Sequence, residues 1–381
     1  MEQSRQGRRE FFKQLGKLGL GLAVLPPALK ALLEFHQTLW AQDAKSLKEA
    51  DYYEQMADGR VRCTLCPNFH ILNKGELSFC FTRINRNGKL ITLAYNNPCI
   101  LNVDPIEKGP FYHIRPGTNT VALAIGGCNL RCLYCQNWNI AMERPDRLKN
   151  LDLPKEKILD SAREKECKTI LFSFTEPTVY PEYVKEVTAF TFSHGIKNVI
   201  CTAGFVNPTP LKDLCKNVEG FAVTLKAFND KFYQKICGQN LAPVLKSLEV
   251  IKAEKRWLEI VNLIVPSYND DMKVIKEMCE WIKKNLGEDT PIHFGRFVPE
   301  YKLKDLPPTP VNTIDDALKV GKDAGLKYVY SFNVAPHDGN NTYCPACKKA
   351  VIKRLAFKIL ENNLPNGKCK FCNQKIAGVW E

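Results

Sequence analysis

From about Thr120 the chain alternates between short apolar runs and longer segments with helical periodicity, and this alternation limits the fold more than any other feature. The apolar runs are residues 121–125, 169–174, 198–202, 221–226, 258–265, 292–298 and 327–332. The helical segments are residues 155–166, 181–194, 208–216, 242–254, 270–285 and 313–324. Repeated strand–helix units predict a parallel sheet covered by helices, and strands that are apolar on both faces fit that buried position.

We therefore predict an α/β fold, a partial six-stranded βα barrel of the TIM type. A barrel is favoured over an open doubly wound sheet because candidate chemical groups follow nearly every strand, at the end where barrels carry their active sites. The predicted domains are an N-terminal extension over residues 51–118, the barrel over residues 119–335 and a C-terminal module over residues 336–381.

Cysteine is unusually frequent, with 16 in 381 residues, and most of the cysteines fall into three groups. The groups are Cys63, Cys66 and Cys80; Cys128, Cys132 and Cys135; and Cys344, Cys347, Cys369 and Cys372. Closely spaced thiolates converge on a metal, so these groups indicate metal binding rather than disulfides. The other six cysteines are scattered in mostly apolar surroundings, where we expect them to pack as small core side chains.

The central group follows the first strand directly, in a loop that begins Gly126-Gly127 and has the spacing C-x3-C-x2-C. Three thiolates at this spacing can bind three irons of a [4Fe–4S] cluster, which usually takes four cysteines. No fourth cysteine lies nearby in the sequence, so one iron is expected to stay open, as in a reactive metal site. A zinc loop is the alternative interpretation.

With Tyr134 before the last cysteine, this loop resembles the signature of the radical S-adenosylmethionine (SAM) superfamily. The resemblance implies that Cys128, Cys132 and Cys135 bind the cluster and that SAM chelates the open iron. One-electron reduction would then cleave SAM to methionine and a 5′-deoxyadenosyl radical, which takes hydrogen from a substrate.

Further candidate residues lie where the later strands end, and with Tyr134 they complete the predicted cofactor-binding set: Glu176, Lys226, Asn262, Val265 and Arg296. By resemblance, Glu176 holds the SAM amino group. Alternatively, its negative charge stabilises the positive end of a helix dipole at a helix N-terminus. Lys226 can pair with the SAM carboxylate or extend from the barrel rim. Asn262 and Val265 can meet ribose and adenine, and Arg296 can bind a carboxylate or phosphate of the substrate, although Arg296 and His293 fit structural roles equally well.

The resemblance extends to one subgroup, the AmmeMemoRadiSam system radical SAM enzymes, many of which carry the older label of pyruvate formate-lyase activating enzyme homologue. It rests on the segments 103–108, 110–113, 135–138, 173–177, 225–229, 296–299, 361–363 and 378–380. It implies Memo-type and AMMECR-type proteins as partners. The subgroup usually has aspartate where this chain has Thr224, and a twin-arginine N-terminus is not usual for it.

Two further metal sites flank the barrel. Cys344, Cys347, Cys369 and Cys372 have the pattern of a zinc ribbon, with a rubredoxin-like iron centre as the alternative. Cys63, Cys66, His70 and Cys80 form the second predicted site, which holds either zinc or an auxiliary iron–sulfur cluster; the subgroup has a cysteine where His70 stands. His70 is alternatively a surface histidine.

Residues 1–50 resemble a twin-arginine signal or anchor, because Arg8 and Arg9 precede a short apolar run that ends at Pro26. The run is too short to span a bilayer, and the alternative is a basic amphipathic helix. Export through the twin-arginine route conflicts with SAM and low-potential electrons, which favour a cytoplasmic or membrane-associated enzyme.

We expect a radical SAM oxidoreductase or transferase that acts on an unidentified small molecule or protein and takes electrons from a donor such as ferredoxin or flavodoxin. A glycyl-radical-enzyme activase is the second hypothesis. A zinc-ribbon module that binds nucleic acid or protein, with an inactive barrel, is the third. The formal charge of +13 is compatible with an acidic substrate, an acidic partner or RNA, but no aromatic-basic RNA platform is visible.

Overall fold

The computed structural model describes residues 48–381, so the predicted signal segment falls almost entirely outside the described residues. Within the described range, no helix has both the length and the apolarity needed to cross a bilayer.

The N-terminal part consists of two small antiparallel sheets, ordered β1-β6-β5 and β2-β3-β4. Their strands are β1 (Lys48–Glu49), β2 (Tyr53–Gln55), β3 (Val61–Cys63), β4 (Ile71–Leu72), β5 (Arg83–Arg86) and β6 (Lys89–Thr92). A small apolar cluster that includes Val61, Leu72 and Leu90 packs between them. Cys63 ends β3, and Cys80 lies just before β5, so this packing brings the predicted N-terminal ligands towards one another.

The main sheet has eight strands in the order β14-β13-β12-β11-β10-β9-β8-β7. They are β7 (Ile100–Pro105), β8 (Asn119–Ala124), β9 (Thr169–Phe172), β10 (Lys197–Thr202), β11 (Gly220–Thr224), β12 (Trp257–Ile264), β13 (Ile292–Arg296) and β14 (Val329–Phe332). All neighbours from β8 to β14 pair in parallel, and β7 pairs antiparallel with β8. The predicted count of six strands is therefore wrong. Six βα units are followed by β14, which is the seventh parallel strand. The eighth strand, β7, was not predicted because it belongs to no βα unit.

Six helices connect the parallel strands: α1 (Lys155–Glu164), α2 (Pro181–Ser193), α3 (Pro208–Cys215), α4 (Ala242–Ala253), α5 (Met272–Leu286) and α6 (Val311–Asp323). Capping hydrogen bonds and backbone conformation determine where these helices begin and end. For example, the Asp271 carboxylate accepts a hydrogen bond of 2.9 Å from the Lys273 amide at the start of α5, and Gly287 ends this helix with a φ of +93°. The apolar sides of the helices and one face of the sheet form the principal core.

A shorter helical segment follows β11. It consists of Asp230–Phe232 and a five-residue π-helical stretch, Tyr233–Cys237, and we refer to both together as the 230–237 segment. Gly238 ends it in the left-handed region with a φ of +68°.

The C-terminal part is a three-stranded antiparallel sheet of β15 (Thr342–Tyr343), β16 (Ala350–Leu355) and β17 (Lys358–Asn362). Two loops flanking this sheet carry Cys344 with Cys347 and Cys369 with Cys372. The core of this part includes Tyr112 and Tyr330, so it packs against the N-terminal end of β14 in the main sheet.

A buried polar network joins the C-terminal part to the base of the main sheet. The Glu259 carboxylate accepts hydrogen bonds from the amides of Tyr112 (3.0 Å) and His113 (2.9 Å), and it lies 2.8 Å from Nε2 of His293. Arg354 of β16 donates to the Tyr112 carbonyl at 2.9 Å. His293 therefore has the structural role that the sequence left open, far from the strand ends where the candidate chemistry lies.

Candidate functional site

The cysteine loop leaves the carboxyl end of β8, and two glycines allow its close packing. A Cβ on Gly126 would lie 2.4 Å from the Leu148 side chain. Gly127 has a φ of +96°, and a Cβ there would lie 2.6 Å from the Cys80 carbonyl oxygen. The Gly-Gly pair thus lets the loop turn while the N-terminal part packs directly against it.

The three thiols of this loop share one electrostatic environment. Burial and the nearby Glu176 raise the pKa of Cys128, while burial and Cys132 raise the pKa of Cys135 to about 11. The neighbouring Cys237 thiol and then the charge of Lys226 lower the pKa of Cys132 to about 7.

Lys226 lies at the carboxyl end of β11 with its ammonium among these thiols. Burial alone would lower its pKa, but Cys132 and the other nearby thiolates outweigh burial and raise it. The ammonium also lies 5.9 Å from the centre of the Tyr134 ring, which is buried. The lysine thus supplies a positive charge at the centre of the group, where an anionic ligand or thiolates would be stabilised.

Glu176 follows β9 and is almost completely buried. Its carboxylate accepts from the Thr178 amide (3.2 Å), the Thr178 hydroxyl (2.8 Å), the Thr202 hydroxyl (2.6 Å) and the Ala203 amide (2.7 Å). Three of these donors bind Oε1, whereas Oε2 accepts only from the Ala203 amide and keeps an acceptor position for a further donor. Glu176 therefore ties the ends of β9 and β10 together beside Cys128 and is still able to accept from an ammonium at Oε2.

Asn262 on β12 is also buried, but one polar atom of its side chain lacks a hydrogen-bond partner. Its Nδ2 donates to the carbonyls of Leu225 (2.8 Å) and Lys226 (3.3 Å), whereas its Oδ1 has no partner among the described residues. A buried acceptor without a partner is costly, and a bound hydroxyl or amino group would satisfy it. This oxygen is the best structural indication of a ligand beside Lys226.

Val265 lies at the end of the same strand and is held by Asn269. The Asn269 Oδ1 accepts from the Val265 amide (2.5 Å), and its Nδ2 donates to the carbonyls of Lys226 (2.7 Å) and Leu263 (2.9 Å). One asparagine therefore fixes the ends of β11 and β12 relative to each other. Sequence reasoning missed Asn269, because a single asparagine in a turn carries no distinctive signal.

Arg296 ends β13 and is partly exposed. Its Nε donates to the Thr309 carbonyl (2.8 Å), which leaves the rest of the guanidinium for other contacts. The structure thus places all of the predicted central residues at the carboxyl ends of neighbouring parallel strands or in the loops that follow them.

Cys63, Cys66 and Cys80 lie close enough to interact electrostatically. The guanidinium of Arg83 is buried, donates to the Cys63 thiol at 3.7 Å and also binds Glu182. The Arg131 guanidinium of the cysteine loop lies 3.8 Å from the centre of the Phe79 ring, next to Cys80.

His70 does not join this group. Its Nδ1 accepts from the Phe79 amide (3.1 Å), and its Nε2 lies 3.7 Å from the Glu76 carboxylate. The structure therefore brings together three of the four predicted N-terminal ligands and gives both ring nitrogens of the fourth other neighbours.

The four C-terminal thiols form a compact group, in which all Sγ atoms lie within 4.8 Å of one another. The Cys344–Cys372 and Cys347–Cys369 sulfur distances are 3.6 and 3.7 Å. A tetrahedron with Zn–S bonds of ~2.3 Å has sulfurs about 3.8 Å apart, so this group fits one ion. Burial raises the pKa of Cys369, but the amides of Phe371 and Cys372 outweigh it and lower this pKa to about 7.

The other two cysteine groups are more open. Over residues 48–381, neither has its three sulfur atoms within 4.8 Å of one another. A single ion would need such convergence, whereas the corners of an iron–sulfur cluster do not.

Cys237 lies far along the chain from the cysteine loop, yet the Arg131 amide of the loop donates to its carbonyl at 2.8 Å. Its side chain is fully buried in the principal core, as expected for the scattered cysteines. The 230–237 segment therefore packs against the loop, which spacing along the chain does not reveal.

A family model described as the radical SAM superfamily matches residues 123–282. An uncharacterized protein of Methanocaldococcus jannaschii is 42% identical over 332 residues, which cover 87% of this chain and 99% of that protein. A pyruvate formate-lyase-activating enzyme of Clostridium pasteurianum is 27% identical over 207 residues, or 50% of this chain and 84% of that enzyme. The structure of a radical SAM methyltransferase from Sphaerobacter thermophilus aligns with 84% of this chain and 85% of its own at 14% identity and a TM-score of 0.47.

Proposed function

The chain belongs to the radical SAM superfamily, and on that premise we propose that it is an oxidoreductase or transferase that cleaves SAM reductively and removes hydrogen from a substrate. The observation that carries the proposal is the group of three thiols around Lys226 at the carboxyl end of a parallel strand. A [4Fe–4S] cluster would supply the electron that breaks a carbon–sulfur bond of bound SAM.

Cys128, Cys132 and Cys135 would hold this cluster, and the chemistry of the site supports the fit. Cys132 is buried, Cys128 and Cys135 are partly exposed, and the three thiols are not packed around a single ion. Lys226 would offset the negative charge of the thiolates and of a bound carboxylate. Tyr134, whose ring lies beside Lys226, would shield the site from solvent.

We propose that SAM lies along the ends of β9, β11 and β12. Lys226 would pair with the SAM carboxylate. The unpartnered Asn262 Oδ1 would accept from a ribose hydroxyl or the adenine amino group, next to the backbone of Val265. The Oε2 atom of Glu176, which accepts only from the Ala203 amide, would also accept from the SAM amino group, and Arg296 would face the substrate.

For the C-terminal site we propose structural zinc, held by Cys344, Cys347, Cys369 and Cys372. For the N-terminal site, Cys63, Cys66 and Cys80 would hold an auxiliary cluster, or zinc if their sulfurs move closer together, with His70 joining only if its ring leaves Phe79 and Glu76. The close packing of the Cys80 carbonyl against Gly127 favours a role linked to the central loop.

A glycyl-radical-enzyme activase remains a second candidate function. It is favoured by the similarity to the activating enzyme of Clostridium pasteurianum and by an exposed apolar rim beside the cysteine loop. Trp138 stacks on Tyr301 at 5.2 Å between ring centres, and Trp138 and Val298 remain exposed. Such a rim would suit a polypeptide loop as substrate.

For partners, we propose a low-potential donor such as ferredoxin or flavodoxin, together with Memo-type and AMMECR-type proteins. For location, we propose the cytoplasm or the membrane surface, with twin-arginine export as the alternative. Fractionation of cells that carry the chain with and without Arg8 and Arg9 replaced would distinguish these locations.

Anaerobic reconstitution tests the proposed function. Iron, sulfide and zinc are counted, dithionite and SAM are added, and 5′-deoxyadenosine is measured by mass spectrometry. About four irons and two zincs with 5′-deoxyadenosine would support the proposal, and about eight irons would assign the N-terminal group as an auxiliary cluster. Cys132→Ala should abolish both visible absorption from this cluster and SAM cleavage, while Cys215→Ala in the core should retain them. SAM cleavage by Cys132→Ala would refute the mechanism.

A further inference from the structure

Residues 78–83, which we call the 78–83 segment, lie between the N-terminal thiols and the cysteine loop. On one side of this segment, the Cys80 sulfur lies 3.1 Å from the hydroxyls of both Ser78 and Thr82. On the other side, a Cβ on Gly127 would lie 2.6 Å from the Cys80 carbonyl oxygen and 2.6 Å from Cγ2 of Thr82. The segment therefore contacts both thiol groups, and a close-packed contact of this kind transmits a displacement from one side to the other.

Arg131 of the cysteine loop reaches across to this segment. Its guanidinium lies 3.8 Å from the centre of the Phe79 ring and 4.5 Å from the centre of the Phe81 ring, and its Nη2 donates to the Phe79 carbonyl. Phe79 and Phe81 are the chain neighbours of Cys80, so the guanidinium is held on both sides of an N-terminal thiol. A planar, always charged group is needed to combine ring contacts with hydrogen bonds in this way.

The same guanidinium also fixes the backbone of the cysteine loop. Its Nη1 donates to the carbonyls of Cys128 and Leu130, both at 2.8 Å. The Arg131 amide donates to the Cys237 carbonyl at 2.8 Å, and a Cβ on Gly238 would lie 3.4 Å from the Arg131 Cβ. The start of this side chain is thus held in place, and its far end joins the loop to the neighbouring segment.

We propose that Arg131 couples the two thiol groups, so that a metal bound by Cys63, Cys66 and Cys80 strengthens cluster binding by the cysteine loop. The inference rests on the proposed function, because it requires a cluster at this loop. A metal on the N-terminal thiols would fix Cys80 and the two rings beside it, and Arg131 would transmit this constraint to the Cys128 carbonyl. Coupling between two binding sites is reciprocal, so the central cluster should strengthen N-terminal metal binding by the same factor. Arg131 is therefore a positioning residue and not a ligand.

The test is a double-mutant cycle on the anaerobically reconstituted full chain. Cys63→Ser removes an N-terminal ligand that lies on β3, outside the 78–83 segment. Arg131→Met keeps an apolar side chain without the donors. The measured quantity is the concentration of an iron chelator that removes half of the central cluster, which is followed by electron paramagnetic resonance through the part of the reduced signal that SAM alters.

Each single variant should lower this chelator concentration about tenfold, and the double variant should lower it no further than the single variants do. Arg163→Met replaces an exposed arginine on α1 and is the matched control, which should behave like the wild type. If Arg131→Met does not fold, Arg131→Lys replaces it, since lysine keeps the charge but not the planar set of donors.

A second cycle measures the reverse direction and needs no activity. Native mass spectrometry counts the metal bound per chain, and Cys63→Ser shows which metal belongs to the N-terminal thiols. Cys132→Ala, which lacks the central cluster, should lose this N-terminal metal at about tenfold lower chelator concentration than the wild type. The same change made together with Arg131→Met should have no further effect.

Three results would be decisive against one of the two proposals. Additive effects of the paired substitutions would overturn the coupling through Arg131 and leave the proposed function standing. A wild-type protein with no metal on the N-terminal thiols would overturn the coupling as well. A wild-type protein that binds no cluster at the cysteine loop would instead refute the proposed function.

Discussion

The buried His113 at the base of the main sheet makes the stability of the protein depend on pH in a predictable way. Its Nδ1 lies 2.6 Å from the Ala377 carbonyl and its Nε2 lies 2.6 Å from the Tyr330 hydroxyl. A carbonyl can only accept, so Nδ1 carries the proton, and the neutral ring leaves Nε2 as an acceptor beside the Tyr330 hydroxyl, which also lies 3.0 Å from the Thr342 hydroxyl. Burial favours this neutral form and lowers the pKa of His113 from 6.5 to about 4, although the nearby Glu259 opposes the shift.

The sign of the effect follows from the direction of this shift. Between the two pKa values the unfolded chain binds a proton that the folded chain does not, so stability is present above pH 6.5 and is lost as the pH falls towards 4. The full difference corresponds to about 3 kcal/mol, at about 1.36 kcal/mol per pKa unit. Lowering the pH from about 7.5 to about 5 would cost about 2 kcal/mol of this.

The assay is urea unfolding of the wild type and His113→Gln at a series of pH values, each checked for equal metal content. The variant is less stable at neutral pH, but it should lose about 2 kcal/mol less than the wild type between about pH 7.5 and 5. His194→Gln replaces an exposed histidine and should follow the wild type throughout. Parallel curves for His113→Gln and the wild type would refute the assignment of a neutral, buried His113.

Three further predictions concern the metal sites and the loop. Cys347→Ser should release one zinc per chain and lower the melting temperature measured by calorimetry, since binding energy on the order of 10 kcal/mol is at stake in structural zinc sites; a variant that keeps its zinc would contradict the tetrahedral site. Lys226→Met should weaken SAM binding to the reconstituted protein about tenfold in equilibrium dialysis, the size of one charge-assisted contact, whereas the exposed Lys235→Met should not. Gly127→Ala should lower the free energy of unfolding in urea by more than about 1 kcal/mol, because alanine would have a positive φ there and its Cβ would clash with the Cys80 carbonyl. An unchanged unfolding midpoint would show that the loop can relax.

Most of the main sheet is predictable from the sequence because its strands are buried on both faces. The apolar run 258–265 differs by one residue at each end from the observed Trp257–Ile264, and the other parallel strands agree to within two residues at each end. The edge strand Ile100–Pro105 has Asn102, Asp104 and Pro105 among its residues, so it lacks both continuous apolarity and a clean alternation. Its antiparallel pairing with β8 depends on the tertiary structure and cannot be predicted from the local sequence pattern.

The candidate site is predictable to the extent that it lies on strand ends. Parallel strands bring their carboxyl ends to one edge, so Cys132, Lys226 and Asn262 could be grouped before the structure was known. Cys237 and His70 could not be assigned in this way. The first is delivered by an irregular helical segment, and the orientation of the second depends on the Phe79 amide and the Glu76 carboxylate.

The two flanking cysteine-rich parts attach to opposite ends of the main sheet, and this placement separates their roles. The N-terminal part contacts the cysteine loop where the Cys80 carbonyl packs against Gly127 and the Phe79 ring lies beside Arg131, at the end that carries the candidate chemistry. The C-terminal part reaches the base of the main sheet through Arg354, at the end of parallel strands that serves stability rather than reaction. A change at Cys80 should therefore alter the spectroscopic properties of the central cluster, whereas a change at Cys347 should lower stability and leave those properties intact. The distinction follows from which end of the parallel strands each part touches, and it holds whichever metal the N-terminal thiols bind.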